Sequence, residues 1–134
     1  LATLYRQREE FDKAHFHQAV VYYHNGRLED AEYYLDLVQD YPDQAWFLYY
    51  SGLIGLSRCS YEEAECVEEE MSKVDQALSL EPDNGWFVLG KAKLLWSAGN
   101  RLASYELVED FYHRHPSLPI LLRQEMEYWL SLAE

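Results

Sequence analysis

Proline is scarce in this 134-residue chain, with four residues, and glycine contributes only six. That composition excludes a collagen-like chain or a Gly/Pro-rich disordered one. Cysteine occurs twice, too rarely for a disulfide framework, and a spacing of seven fits no zinc-ligand pattern. On a single helix, Cys59 and Cys66 would hold their Cα atoms about 10 Å apart, beyond bridging distance. Two buried free thiols are therefore expected, with a reducing, cytoplasmic-type compartment. No apolar run approaches eighteen residues, so neither a spanning helix nor direct membrane insertion is expected. Cationic residues are few: 11 Lys and Arg stand against 24 Asp and Glu, a formal net charge of −13. Such a balance repels phosphate backbones and anionic lipid, which excludes nucleic acid and leaves apolar or basic partners. The chain begins at Leu1 rather than Met, as an excerpt of a longer protein would.

Catalytic signatures are missing too. There is no Gly-rich phosphate loop, Gly-x-Ser-x-Gly elbow, His-Glu-x-x-His or Cys-x-x-Cys. His15 with His17, and His113 with His115, are spaced i,i+2, so on a helix they point apart and cannot chelate together. No metal, cofactor or enzymatic activity is expected. The glutamate run Glu62, Glu63, Glu65, Glu68, Glu69 and Glu70 reads as a solvated helix face.

Aromatic residues, by contrast, are abundant: twelve Tyr, four Trp and five Phe exceed what a small helical core needs. The apolar residues recur at helical spacing throughout. Residues 4–25 read as a helix stopped by Asn25-Gly26, and residues 28–40 as a second, with Leu28, Ala31, Leu35 and Val38 on one face and Tyr41-Pro42 ending it. Asp43 caps a third over 43–56, in which Gly52 and Gly55 indicate a closely packed neighbour. Ser60-Tyr61-Glu62-Glu63 forms a capping box opening a long helix over 61–80, with Ala64, Val67, Met71, Val74 and Leu78 as its seam. Pro82 to Asn100 holds the best-punctuated helix. Asp83 is read as its cap, Gly99-Asn100 as its stop and Gly90 as a second close approach. Residues 101–114 and 117–133 complete an all-α chain of about seven helices joined by short turns.

Punctuation by Pro42, Pro82 and Pro116 divides the chain into units of about 12–42, 43–82 and 83–116, followed by a helix over 117–133. The pattern resembles the tetratricopeptide repeat family, whose unit is a helical hairpin of about 34 residues. The third unit carries the resemblance in Trp86-x2-Leu89-Gly90-x2-Lys93, Ala103-x3-Leu107 and Pro116. The second carries Trp46-x2-Tyr49-Tyr50-x2-Leu53, a weakly placed Ala64 and Pro82. The first carries His15-x2-Gln18-Ala19-x2-Tyr22, Ala31-x3-Leu35 and Pro42. Pro82 and Pro116 are 34 residues apart, whereas Pro42 and Pro82 are 40 apart, so the second unit is six longer and its acidic second helix should project. In the first unit His15 and Gln18 replace the usual large apolar residues.

The resemblance implies a single domain, an α-solenoid of three antiparallel hairpins with a solvating C-terminal capping helix. It implies a protein–protein interaction module, a scaffold or adaptor, that takes a partner peptide or helix in a concave groove. By position the groove would be lined by Phe16, His17, Val20, Tyr23, His24, Phe47, Leu48, Ser51, Asn84, Phe87, Val88 and Lys91. The partner would be a protein segment, with basic flanks suiting the acidic surface; use of the same faces in a homodimer is the competing expectation. The family's carboxylate-clamp residues are absent at Phe16, Val20, Leu48, Asn84 and Val88. Trp46, Trp86, Leu89 and Gly90 are assigned to packing. Two further uses of such a module are a dedicated chaperone masking a hydrophobic segment of a client, and the repeat domain of a larger complex component.

Overall fold

The computed structural model describes residues 2–60 and 62–132, and among the described residues it contains seven α-helices and no strand. They are α1 (Ala2–His24), α2 (Leu28–Leu37), α3 (Gln44–Arg58), α4 (Ala64–Leu80), α5 (Gly85–Ser97), α6 (Arg101–Arg114) and α7 (Ile120–Leu132). The chain forms two compact units, the first ending at Leu80 and the second beginning at Glu81. In the first, α1 packs on α2 and α3, and α3 on both α2 and α4; in the second, α5, α6 and α7 pack on one another.

Local chemistry accounts for most boundaries. Asp43 accepts from the Trp46 N–H at 3.3 Å, satisfying one of the free donors that open α3. Gly26 and Gly99 adopt φ of 76° and 88°, the left-handed turn that stops a helix at little cost for glycine. Four boundaries depart from expectation. Asn84, not Asp83, caps α5: its side chain accepts from the N–H groups of Trp86 and Phe87. The Ser60 hydroxyl and the Glu63 carboxylate pair with each other at 3.2 Å in a turn, so α4 begins at Ala64; Tyr61 lies outside the described residues. At the end of α2, Val38 is already extended and the helix stops at Leu37. Pro119 starts α7 later than Ser117, accepting the first backbone bond from Arg123 at 2.9 Å.

The two hairpins α1–α2 and α5–α6 are built alike, at a constant offset of 99 − 26 = 73 residues. In the first turn Arg27 N–H bonds the Tyr22 carbonyl at 2.9 Å; in the second Asn100 N–H bonds that of Leu95 at 2.8 Å. Gly26 N–H to Tyr23 and Gly99 N–H to Trp96 correspond in the same way, at 3.1 and 3.0 Å. Two small, fully buried residues let the helices approach: Ala19 and Ala31 in one hairpin, Ala92 and Ser104 in the other. Phe16 and Leu35 match Leu89 and Val108 at the same offset, and all four are buried. A turn and four core positions thus share one register.

That register corrects the helix phase read from sequence. Trp86, expected in the core, is 45% exposed, because at this offset it takes the place of exposed Lys13. Ala103 is exposed, and Ser104, one residue later, fills the small buried position.

Within the first unit α3 and α4 meet almost backbone to backbone. A Cβ added at Gly52 would lie 2.8 Å from both the Glu70 carbonyl oxygen and a Val74 methyl, and one at Gly55 would collide with the Glu70 carboxylate. The close neighbour expected of these glycines is therefore α4. In the second unit Gly85, at the start of α5, admits Leu122 and the Phe111 ring. In the same unit Phe111 and Met126 are fully buried, each such side chain contributing roughly 1.5–3 kcal/mol relative to exposure. The exposed residues of α7 include Ile120, Leu121 and Tyr128 alongside Gln124, Glu125 and Glu127.

One buried carboxylate organises the end of α2. Asp12 on α1 accepts from the backbone N–H groups of Gln39 and Asp40, both at 3.0 Å, just where α2 gives way to coil.

Cys59 and Cys66 form a disulfide, correcting the expectation of free thiols. Cys59 is the C-cap of α3 and Cys66 lies in the first turn of α4, so the chain reverses between them and their Cα atoms come within 5.8 Å. The argument for a reducing compartment rested on free thiols and falls with them. No helix among the described residues is long and apolar enough to cross a membrane.

Candidate partner-binding site

The first unit carries an open pocket of about 620 Å³ between α1 and α3, closed at one end by the loop before α3. Helical spacing supplies the α1 wall: Lys13, Phe16, His17 and Val20 recur at three, one and three, which is one face. Trp46 and Tyr50, four apart on α3, supply the opposite wall, and Tyr41 closes the end. These rings support one another. Phe16 packs on Tyr41 at 4.2 Å between centroids and edge-on to Tyr50 at 5.9 Å, while Trp46 stacks on Tyr50 at 6.0 Å.

Polar groups stand at the rim. His24 Nε2 lies 2.9 Å from the Tyr50 hydroxyl, linking the end of α1 to α3. Lys13 is exposed and pairs with Glu9 at 3.1 Å. Burial pushes the hydroxyl pKa of Tyr23, Tyr49 and Tyr50 up, and that of Tyr41 as well, with Asp43 adding to the rise and Lys13 opposing it. These phenols remain protonated at neutral pH and offer O–H donors. A recess of this kind presents aromatic faces with a few donors at its edge, the chemistry of a recognition surface for an apolar or aromatic segment.

The structure places the residues expected in a groove in three groups. Phe16, His17 and Val20 line the pocket, Phe16 as its largely buried floor and His17 exposed at its mouth. Tyr23, His24 and Phe47 adjoin it through ring contacts with Tyr50 or Phe16. Leu48 and Ser51 do not line it: Leu48 falls midway between Trp46 and Tyr50 on the opposite side of α3, and Ser51 is a further 100° round from Tyr50. Asn84, Phe87, Val88 and Lys91 belong to the second unit. There the Asn84 side chain is engaged in capping, and Phe87 and Val88 are buried, 0% and 3% exposed, rather than presented to a partner. Lys91 is half-buried. The expected exposure of Phe87 and Val88 came from the mistaken phase of α5, a helix that buries most of its faces.

Sequence reasoning missed Lys13, Ala14, Tyr41, Trp46 and Tyr50 as lining residues. The i,i+4 pair Trp46/Tyr50 was a usable signal, since two large rings on one face must both be covered or both line a surface. Tyr41 comes from a loop, and its place depends on the path fixed by Asp12. No protein-family model, curated protein or solved structure matches the chain.

Proposed function

We propose that the chain is a non-catalytic interaction module, a scaffold or adaptor that takes an aromatic or apolar segment of a protein partner in the α1–α3 pocket. The observation that carries this reading is the pocket, whose walls are ring faces and whose rim offers hydroxyl, imidazole and ammonium donors. The partner segment is one with basic flanks, in keeping with the net charge of −13. The architecture proposed for it is tetratricopeptide-like. The shared register of the α1–α2 and α5–α6 hairpins supports that assignment, since repetition of turn, small contact and core residue is what a helical repeat requires. A second reading, the repeat domain of a larger assembly or a dedicated chaperone, draws support from the exposed apolar residues Ile120, Leu121 and Leu102 of the second unit.

A photo-crosslinking residue at position 17 tests the pocket directly. Crosslinks from position 17, and none from a control at exposed Leu102, are expected in extracts of the native source. His17→Glu and Tyr50→Ala should weaken the captured partner by about tenfold or more, equivalent to 1.4 kcal/mol. Unchanged binding by both variants, with crosslinks only from position 102, would overturn the assignment to this pocket.

A further inference from the structure

The Cys59–Cys66 disulfide is not enclosed. Cys66 lines an open recess of about 610 Å³ together with Glu62, Glu63, Glu65 and Glu69. The Cys59 Sγ lies 3.5 Å from the Gly55 carbonyl oxygen in the last turns of α3. Both half-cystines are partly exposed, and four glutamates share the recess with Cys66. All four glutamates are exposed; Glu63 pairs with the Ser60 hydroxyl, and none of the four has a cation within ion-pair distance among the described residues.

We propose that this disulfide is a thiol-exchange site selective for the charge of the incoming thiol, open to cationic thiols and shielded from anionic ones such as glutathione. In the first step a thiolate attacks Cys66 Sγ. The S–S bond breaks, the electron pair leaves on Cys59 Sγ, and that thiolate takes a proton from solvent. A second thiolate attacks the reagent sulfur of the mixed disulfide, releasing Cys66 as a thiolate that is protonated in turn. Two reagent thiols are oxidised to their disulfide and the protein disulfide is reduced to two thiols. The attacking thiolate carries one negative charge already. An ammonium on the same small molecule makes it net neutral, whereas a carboxylate makes it doubly negative and raises the repulsion from four fixed anions.

The test compares rates of reduction of the whole chain by cysteamine, 2-mercaptoethanol and 3-mercaptopropionate at equal thiolate concentration, counting alkylated thiols by mass. Bis(2-hydroxyethyl) disulfide, which is uncharged, serves as reference for intrinsic nucleophilicity. At about 0.01 M ionic strength the cysteamine-to-mercaptopropionate ratio should exceed that of the reference by about tenfold or more, and it should collapse toward the reference at about 1 M salt. The triple variant Glu62→Gln/Glu65→Gln/Glu69→Gln, which leaves the Ser60–Glu63 contact intact, should collapse it too. A ratio equal to the reference at low salt overturns the proposal, as does one that neither salt nor the triple variant changes. Two free thiols in chain isolated without reductant would overturn it as well.

Discussion

Trp129 on α7 donates its indole N–H to the Ser104 hydroxyl on α6 at 3.0 Å, and Ser104 in turn donates to the Ala92 carbonyl on α5 at 2.7 Å. One fully buried hydroxyl thus joins all three helices of the second unit, donating once and accepting once. Ser104→Ala keeps the small volume but leaves the indole N–H without its acceptor, and should cost about 1–3 kcal/mol. The neighbouring change Ala103→Ser, on the exposed side, should stay within about 0.5 kcal/mol. Urea midpoints of the two variants decide the matter; equal midpoints would sink the relay.

Phe87 and Trp86 exchange the roles their sizes suggest. Phe87 is fully buried, so Phe87→Ala should lower stability by about 3–5 kcal/mol, whereas Trp86→Ala should cost less than about 1.5 kcal/mol. Thermal melts of the pair check the phase of α5. A larger loss at Trp86 would restore the register read from the sequence.

Much of the fold was legible because its causes are local. Gly26, Gly99 and Asp43 stop or start helices through their own backbone or side chain, and the structure places them in those roles. Ala19, Ala31 and Leu35 were legible because both helices of the first hairpin are counted from the same glycine turn. In the second, Trp86 drew the register through its bulk, while the cap that sets it is the side chain of Asn84. The disulfide was not legible because seven residues span either two turns of one helix or a reversal, and cysteine spacing alone does not choose. His17 could be read as facing outward from its own helix, and it lines the pocket. Its partners across the pocket, Trp46 and Tyr50, required the packing of α3 on α1.

His115 ties the start of the second unit to the end of α6. Its Nε2 lies 2.9 Å from an Asp83 carboxylate oxygen, its Nδ1 lies 2.9 Å from the Phe111 carbonyl, and its ring stacks on Phe111 at 3.9 Å. Both nitrogens face acceptors, so only the imidazolium donates both bonds. The hydrogen bond to Asp83, then that to the Phe111 carbonyl, raise the His115 pKa, with desolvation and Arg114 opposing. A raised folded-state pKa stabilises fully below the unfolded value near 6.5, and the effect is lost as pH rises through the folded value. The stability gap between the natural chain and His115→Ala should therefore narrow steadily from pH 6 upward. A gap independent of pH would show that the imidazolium contributes nothing.

Gly52 and Gly55 should respond differently to the same substitution. An alanine methyl at 52 meets main chain of α4, at the Glu70 carbonyl, which cannot yield without moving the helix. Gly52→Ala should destabilise by about 1–3 kcal/mol, more than the roughly 1 kcal/mol gained in helix propensity. At position 55 the obstacle is the Glu70 carboxylate, the far end of a side chain held by Lys73 at 2.9 Å. Swinging it aside sacrifices a pair of the kind worth about 0.2–1 kcal/mol, so Gly55→Ala should be close to neutral. Guanidinium unfolding of both variants distinguishes main-chain contact from side-chain contact.

Asp12 grips its loop by main-chain N–H groups alone, and what it recognises is common to nineteen amino acids. Positions 39 and 40 are therefore chemically unconstrained in side chain while fixed in path. Saturation libraries at these two sites should accept nearly every substitution except proline, which removes the donor. The same libraries in an Asp12→Ala background should lose that one forbidden residue, since no carboxylate then remains to miss the N–H. The loop that delivers Tyr41 to the pocket is in this sense addressed by its backbone, and its sequence can drift without disturbing the aromatic wall.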